Sequence, residues 1–180
     1  IDAGVVPDDL TYRATLWLSG DARRLKAGEY RFDRAMSPRE VLGKIARGEV
    51  DLVNVTFREG LTIADMAAIF EAQGLGSADA FKTAASDASL IADLDPKATD
   101  LEGYLFPETY AVSRHVDAAQ LVRAMVDRFN KVLSTDLREA AAARQMTVRQ
   151  LVTLASIVEK ETGATDERPT VAAVYANRLK

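Results

Sequence analysis

The chain has 180 residues, a length that fits one compact domain or two small ones. Its composition, 48% hydrophobic and 28% charged with no apolar run of about 20 residues, argues against disordered, collagen-like and membrane-embedded classes. The net charge of -4 argues against a nucleic-acid partner, and zero cysteines with one histidine exclude disulfides, thiol nucleophiles and multi-histidine metal sites. We therefore expect no metal, no cofactor and a chemistry performed mostly by carboxylates.

Three segments in the first third of the chain mix β-branched and aromatic residues with polar ones, as short strands do. They are residues 12–18, 26–32 and 51–57. The strands alternate with helices along the chain, so the pattern predicts a small α+β unit.

Capping residues predict the helices of this unit. Ser37, followed by a proline, begins a helix that ends at Gly48, and Thr62 begins a second helix that ends at Gly74. Residues 76–100 are rich in Ala, Asp and Ser and predict one or two further short helices, with Ser77 as a cap.

The remainder of the chain is predicted to be helical. Residues 117–143 carry one apolar stripe of four residues, Leu121, Met125, Phe129 and Leu133. A helix that begins with a capping box of Thr147 and Gln150 is expected to end at a left-handed Gly163, and a last helix begins near Pro169. The sequence thus predicts an α+β protein with a small α/β region over residues 1–100 and a mainly helical domain over 101–180. Because the helical pattern is unbroken at the last residue, we expect that helical domain to be truncated.

The helix that begins at Thr147 carries the most informative carboxylates. Apolar residues cover more than half of its circumference, so it is predicted to be largely buried. Glu159 and Glu161 point about 160° apart, which excludes them as a facing pair on one glycosidic bond. Either carboxyl, at the apolar margin of the last turn, is expected to be a good proton donor. The alternative, that both mark where a core helix reaches water, stays open.

Residues 101–110, LEGYLFPETY, form an aromatic cluster around a glycine and a proline. Tyr104 and Tyr110 could offer stacking faces to a sugar, or the rings could be buried against the helices. His115 is the single histidine, and a lone histidine is more often structural. Because the sequence also lacks a Gly-x-Ser-x-Gly motif, we do not expect a Ser-His-Asp hydrolase.

At these motifs the sequence resembles the YceG-like family of endolytic peptidoglycan transglycosylases. The resemblance rests on residues 101–110, on about fifty residues of helix, and on residues 154–179, LASIVEKETGATDERPTVAAVYANRL. Upstream, KAGEYRF and SPREVLGKIARGE are similar to the same family, and residues 53–75 are similar to a LysM strand and helix.

The resemblance implies cleavage of the MurNAc–GlcNAc β-1,4 bond in nascent glycan strands, with formation of 1,6-anhydroMurNAc and one glutamate acting as acid and then base. The family's catalytic glutamate falls on Glu161. The other family positions imply a substrate-binding cleft formed by Glu102, Tyr104, Tyr110, Arg168 and Asn177.

The resemblance further implies a protein at the periplasmic face of the bacterial inner membrane, held by an anchor that this chain does not contain. Its partners would be peptidoglycan glycan strands and cell-wall synthases. The family continues beyond Asn177-Arg-Leu with further active-site residues, so we expect the 180-residue chain to cleave little glycan unless that segment is added.

Two other functions remain open from the sequence. The chain could be a non-catalytic, LysM-type peptidoglycan-binding module. It could also be a hydrolase that pairs Glu161 with Glu102 or Glu108 as a second carboxylate.

Overall fold

The computed structural model describes residues 25–178, so the strand predicted over residues 12–18 lies outside the described residues. Seven α-helices and two strands are assigned in this range, which makes the chain a helix-rich α+β protein. No helix within it is long and apolar enough to cross a membrane.

The described residues form two compact units. The first comprises residues 25–54 with 111–114, and the second comprises residues 55–110 with 115–178. Residue 100, the predicted end of the first domain, lies inside the second unit. The domain boundary at residue 100 and the LysM-like segment over residues 53–75 stay predictions.

Helix α1 (Pro38–Arg47) belongs to the first unit and begins as predicted. Ser37 and Glu40 form a capping box, in which each side chain bonds the backbone of the other, and Gly48 ends the helix in the left-handed region at φ 72°. The strand predicted over residues 26–32 is absent, because residues 25–37 contain no strand. Asp51 N–H instead donates to Glu29 O at 2.7 Å.

The sheet has two strands, β1 (Leu52–Thr56) and β2 (Thr109–Ser113). Thr56 Oγ1 lies 2.8 Å from Thr109 Oγ1, and Phe57 N–H donates to Glu108 O, so the register is antiparallel. Strand β1 was predicted. Strand β2, which lies in the region predicted to be mainly helical, was not predicted.

Helices α2 (Ile63–Ala72) and α3 (Ala78–Ala85) follow β1, capped as predicted by Thr62 and Ser77. Between α3 and β2 lies a short 3₁₀ helix, Ala88–Ile91. The core of the second unit begins here with three buried rings: Phe81 packs 5.4 Å from Phe70 and 6.1 Å from Phe57, measured between ring centroids.

Residues 117–143 form two helices where one was predicted, α4 (Ala118–Val132) and α5 (Thr135–Ala143). The helix breaks because Leu133 leaves the helical conformation at ψ 72° and the Ser134 hydroxyl caps a new helix by accepting from Leu137 N–H. The predicted apolar stripe is nevertheless confirmed, since its four members are all buried: Leu121, Met125, Phe129 and Leu133.

Helices α6 (Val148–Glu161) and α7 (Arg168–Arg178) complete the second unit. The capping box of Thr147 and Gln150 is confirmed, but the predicted left-handed stop at Gly163 is wrong, because Thr162 ends α6 in extended backbone at φ -145°. The prediction of a largely buried α6 is also wrong: Val158 is its one buried residue. Periodicity identifies an apolar face but does not show that another element covers it.

Candidate active site

Glu161 is the last residue of α6, and its side chain is exposed. The premise that burial makes it a proton donor therefore fails in the described structure. Its neighbour is Tyr175 on α7: a hydrogen bond to the Glu161 carboxylate raises the pKa of this phenol, and desolvation and the negative charge of Glu161 add to the shift. The Tyr175 hydroxyl therefore stays a donor toward Glu161 across the neutral pH range.

The turn between α6 and α7 is fixed by Thr162, which follows Glu161 and is buried. Its hydroxyl donates to Glu167 Oε2 at 2.8 Å and accepts from Ala164 N–H at 3.0 Å. This turn brings α7 back along α6, so that Tyr175 reaches Glu161.

Two other predicted site residues, Arg168 and Asn177, lie on α7, and both are exposed. Arg168 is seven positions before Tyr175 and therefore on the same side of the helix, whereas Asn177 is two positions after it and faces nearly the opposite way. The helix thus places Arg168, but not Asn177, on the side of Glu161.

The side chain of Glu102 reaches the N-terminal end of α2. Its Oε2 accepts from the Ile63 N–H, the first amide of that helix, at 3.0 Å. A carboxylate at this position satisfies one of the free N–H groups of the helix end and interacts favourably with its dipole. Glu102 thus has a structural partner in addition to its predicted role.

Tyr104 is in the core, with 4% of its surface exposed. Its ring meets Phe129 edge-on at 5.3 Å, and its hydroxyl donates to Asp95 Oδ2 at 2.6 Å. Burial and the acceptor Asp95 both raise its pKa. Its ring has no free face for a sugar, so for Tyr104 the interpretation of a buried loop applies.

Tyr110 is only partly covered. Its hydroxyl donates to Phe106 O at 2.7 Å, and its ring lies 6.2 Å from that of Phe57. Desolvation raises the pKa of Tyr110 to about 12, the charge of Glu108 adds to this, and Arg128 opposes it.

Glu108, the other candidate for a second carboxylate, is held in an ion pair. Arg128 on α4 donates from Nη2 to Glu108 Oε1 at 3.2 Å, its Nε lies 2.7 Å from Oε2, and its guanidinium lies 5.6 Å from the Phe106 ring centroid. The ion pair with Arg128 thus gives Glu108 a structural contact between the loop of residues 101–108 and α4.

Sequence reasoning missed the buried carboxylate Asp95. Its Oδ2 accepts both from Tyr104 and, at 2.7 Å, from the Nε of Arg149 in the first turn of α6. The hydrogen bond from Arg149 is the largest cause of the lowered pKa of Asp95; desolvation opposes it, and the Tyr104 hydroxyl adds to it. No sequence signal pointed to this cluster, because its members are separated by 9 and 54 positions.

An open groove of about 520 Å³ lies elsewhere in the second unit, between the α2–α3 turn and the start of α4. Apolar and small residues line most of it, among them Phe70, Leu75 and Ala80. None of the predicted site residues lines this groove, and a site for a polar sugar needs more hydrogen-bonding groups than it offers.

The family model described as the YceG-like family matches residues 1–180. An endolytic murein transglycosylase from Streptococcus pneumoniae serotype 2 is 30% identical over 86% of this chain, and one from Bacillus subtilis strain 168 is 25% identical over 88%. The matched regions span 33% and 48% of those two relatives, so the chain covers between a third and a half of their length.

A crystal structure of a YceG-like protein from Listeria monocytogenes has the same fold. It superposes with a TM-score of 0.60 at 24% identity, covering 99% of this chain and 64% of the other.

Proposed function

The chain belongs to the YceG-like family, and from that membership we propose that it acts as an endolytic transglycosylase, a carbon–oxygen lyase of peptidoglycan. The observation that carries the proposal is the position of Glu161, within the matched region, exposed at the end of α6 and next to the Tyr175 hydroxyl. An exposed carboxyl is accessible to a polymer that must be bound in mid-chain. The names of the pneumococcal and Bacillus relatives support the same class of reaction.

In the proposed reaction Glu161 acts first as an acid. Its carboxyl gives a proton to the glycosidic oxygen between MurNAc and GlcNAc, the bond from that oxygen to the muramyl anomeric carbon breaks, and GlcNAc leaves with a free hydroxyl. The Glu161 carboxylate then accepts the proton of the muramyl C6 hydroxyl while that oxygen bonds to the anomeric carbon. The glutamate is regenerated, no water is consumed, and the product carries a 1,6-anhydro ring.

The residues near Glu161 have distinct roles in this proposal. The Tyr175 hydroxyl, whose pKa is raised by its hydrogen bond to the Glu161 carboxylate, is placed to orient that carboxyl. Arg168, exposed on the same side of α7, is available to bind the acidic groups of the muramyl side chain. Tyr110, which is partly exposed, contributes its ring to a sugar, and Glu102 contributes hydrogen bonds farther along the strand, whereas Asn177 faces away from Glu161 and has no role in this group.

Other parts of the proposal concern the setting of the reaction. The strand and helix within residues 53–75 act as a LysM-like glycan-binding segment, and the protein works outside the cytoplasm, at the periplasmic face of an inner membrane to which an anchor holds it. Cell-wall synthases are the partners that would supply nascent strands.

Cleavage of purified, uncrosslinked glycan strands tests this function. Incubated with the full-length natural protein, they should give fragments that end in 1,6-anhydroMurNAc, one water lighter than reducing ends in mass spectrometry. Early fragments should have many lengths, because an endolytic enzyme cuts internally. Reducing ends would indicate a two-carboxylate hydrolase instead, and intact strands that bind without cleavage would indicate a binding module.

A further inference from the structure

Helix α6 has one buried side chain, that of Val158. Its other apolar residues are partly covered or exposed. A helix gains most of its stability from a packed apolar face. The position of α6 must therefore depend on individual contacts along its length.

The strongest such contact joins its first turn to Asp95. The Nε of Arg149 lies 2.7 Å from Asp95 Oδ2, and Lys97 N–H donates to the second oxygen, Oδ1, at 3.3 Å. The Asp95 side chain is only 7% exposed, whereas that of Arg149 is 50% exposed. A buried carboxylate that loses its cation is left uncompensated, so displacing the first turn of α6 is costly.

Asp95 is itself fixed by the core. The Tyr104 hydroxyl donates to the same Oδ2 at 2.6 Å, and the Tyr104 ring packs edge-on against Phe129, a buried residue of α4. A continuous series of contacts therefore runs from α4 through Tyr104 and Asp95 to Arg149.

Two backbone contacts continue this attachment along α6. A Cβ at Gly103 would lie 3.3 Å from Val152 Cγ1, so the loop backbone closely approaches the second turn. Near the other end, Lys160 Nζ would lie 3.2 Å from a Cβ at Gly60. Helix α6 thus contacts two loops, and the ion pair fixes the position of its first turn.

The distance between Arg149 and Glu161 makes this first turn important. Twelve residues separate them, which is about 18 Å along a helix axis. A tilt of about 5° about the first turn would move the Glu161 end by roughly 1.5 Å, and a misplacement of about 1 Å can lower a rate by about 10²-fold.

We propose that Asp95, Arg149 and Tyr104 form a positioning site that orients α6 and so places the Glu161 carboxyl for catalysis, an inference that rests on the proposed function. None of the three touches substrate. They act through the helix, so their loss should lower kcat and leave KM nearly unchanged.

The test compares two replacements of Arg149 in the full-length natural protein. Arg149→Met keeps the length of the side chain but removes the cation, and we expect kcat to fall 10- to 100-fold with KM within twofold of wild type. Arg149→Lys keeps one cationic donor, and we expect its kcat within about threefold of wild type. The matched control is Arg144→Met, because Arg144 follows α5 and donates from Nη1 to a backbone carbonyl of that helix, Ala140 O at 3.1 Å. Its kcat should not change.

Amide hydrogen exchange provides a second measurement that does not need activity. In Arg149→Met, exchange of residues 148–161 should accelerate about 10-fold or more, while α4 keeps its wild-type protection. Unchanged exchange in α6, or a wild-type kcat in Arg149→Met, would overturn the positioning role even if the melting temperature falls. Failure of the proposed function is a different result, recognised by an inactive wild type or an active Glu161→Gln variant.

Discussion

Arg149 Nε and Asp95 Oδ2 lie 2.7 Å apart although 54 positions separate the two residues in the sequence. This pair joins the helix of the candidate acid to the loop that precedes the aromatic cluster. It also shows that part of this cluster serves structure: the Tyr104 hydroxyl is the third member of the same hydrogen-bonded group.

Replacement of Glu161 is the most direct test of the site. Glu161→Gln keeps the shape of the side chain but cannot donate a proton, so we expect glycan cleavage to fall by about 10²-fold or more. The melting temperature should stay within a few degrees of wild type, because the side chain is exposed. Glu159→Gln, two positions away and also exposed, is the control and should retain activity. If Glu159→Gln is inactive and Glu161→Gln is active, Glu159 and not Glu161 is the proton donor.

The stability contributed by Asp95 should depend on pH. Its pKa is lowered in the folded protein, first by the hydrogen bond from Arg149, so the unfolded chain binds more protons in the acidic range. The contribution is fully present above the usual Asp pKa of about 3.9 and is lost as the pH falls through the lower folded-state pKa.

Urea unfolding at several pH values measures this contribution. At pH 7 Asp95→Asn should lower the free energy of unfolding by about 1 to 3 kcal/mol, toward the lower end because Arg149 is half-exposed. Below pH 4 the difference from wild type should shrink. Asp93→Asn, at an exposed position nearby, is the control and should change the free energy little at any pH. A difference that grows on acidification would contradict the ion-pair account.

Tyr104 should behave as a core residue. Tyr104→Ala removes a buried ring and should cost about 3 to 5 kcal/mol of unfolding free energy, whereas Tyr104→Phe removes only the donor to Asp95 and should cost about 1 to 2 kcal/mol. Calorimetric Kd values for short glycan fragments should be the same for Tyr104→Phe and wild type. A weaker Kd in that variant would assign Tyr104 to the substrate.

Tyr110, unlike Tyr104, is expected to contribute to glycan binding. Its ring is partly exposed, so Tyr110→Ala should weaken glycan binding about 3- to 10-fold through the loss of one stacking face. Tyr110→Phe keeps that face and is the control. Equal Kd values for Tyr110→Ala and wild type would remove Tyr110 from the proposed cleft.

Gly103 permits the close approach of its loop to α6. At φ +83°, and with Val152 Cγ1 3.3 Å from a Cβ position, Gly103→Ala should cost about 1 to 3 kcal/mol in denaturant unfolding. Gly74→Ala is the matched control, because Gly74 has φ +68° and no atom within 4 Å of its Cβ position. Val152→Ala should recover part of the loss in Gly103→Ala and none in Gly74→Ala. Without that coupling, the strain would belong to the backbone alone.

Local signals in the sequence predicted a large part of this fold. The helix starts at Ser37, Thr62, Ser77 and Thr147 are all correct, because a capping side chain bonds an amide two or three residues away and needs no distant partner. The apolar stripe of α4 is correct for the same reason, since one helix turn sets its spacing.

Features that depend on distant residues were not predictable. Strand β2 exists because Thr109 meets Thr56, and nothing near residue 109 indicates that partner. The break at Leu133 occurs inside a continuous apolar stripe, where the competing cap at Ser134 prevails. For the site, the family resemblance offered Glu161 as a candidate, which stays a prediction, but the ion pair that fixes the position of its helix required the packed structure.

The strand pairing also bears on the order of folding. Thr56 and Thr109 meet across 53 positions, and closing a loop of this length costs about 3.5 kcal/mol of chain entropy. Helices α2 and α3 are close in sequence and meet through Phe70 and Phe81, so they can collapse before the strands pair. Pairing of β1 and β2 is then a late step, and the appearance of amide protection at their paired residues would time the completion of the whole segment between them.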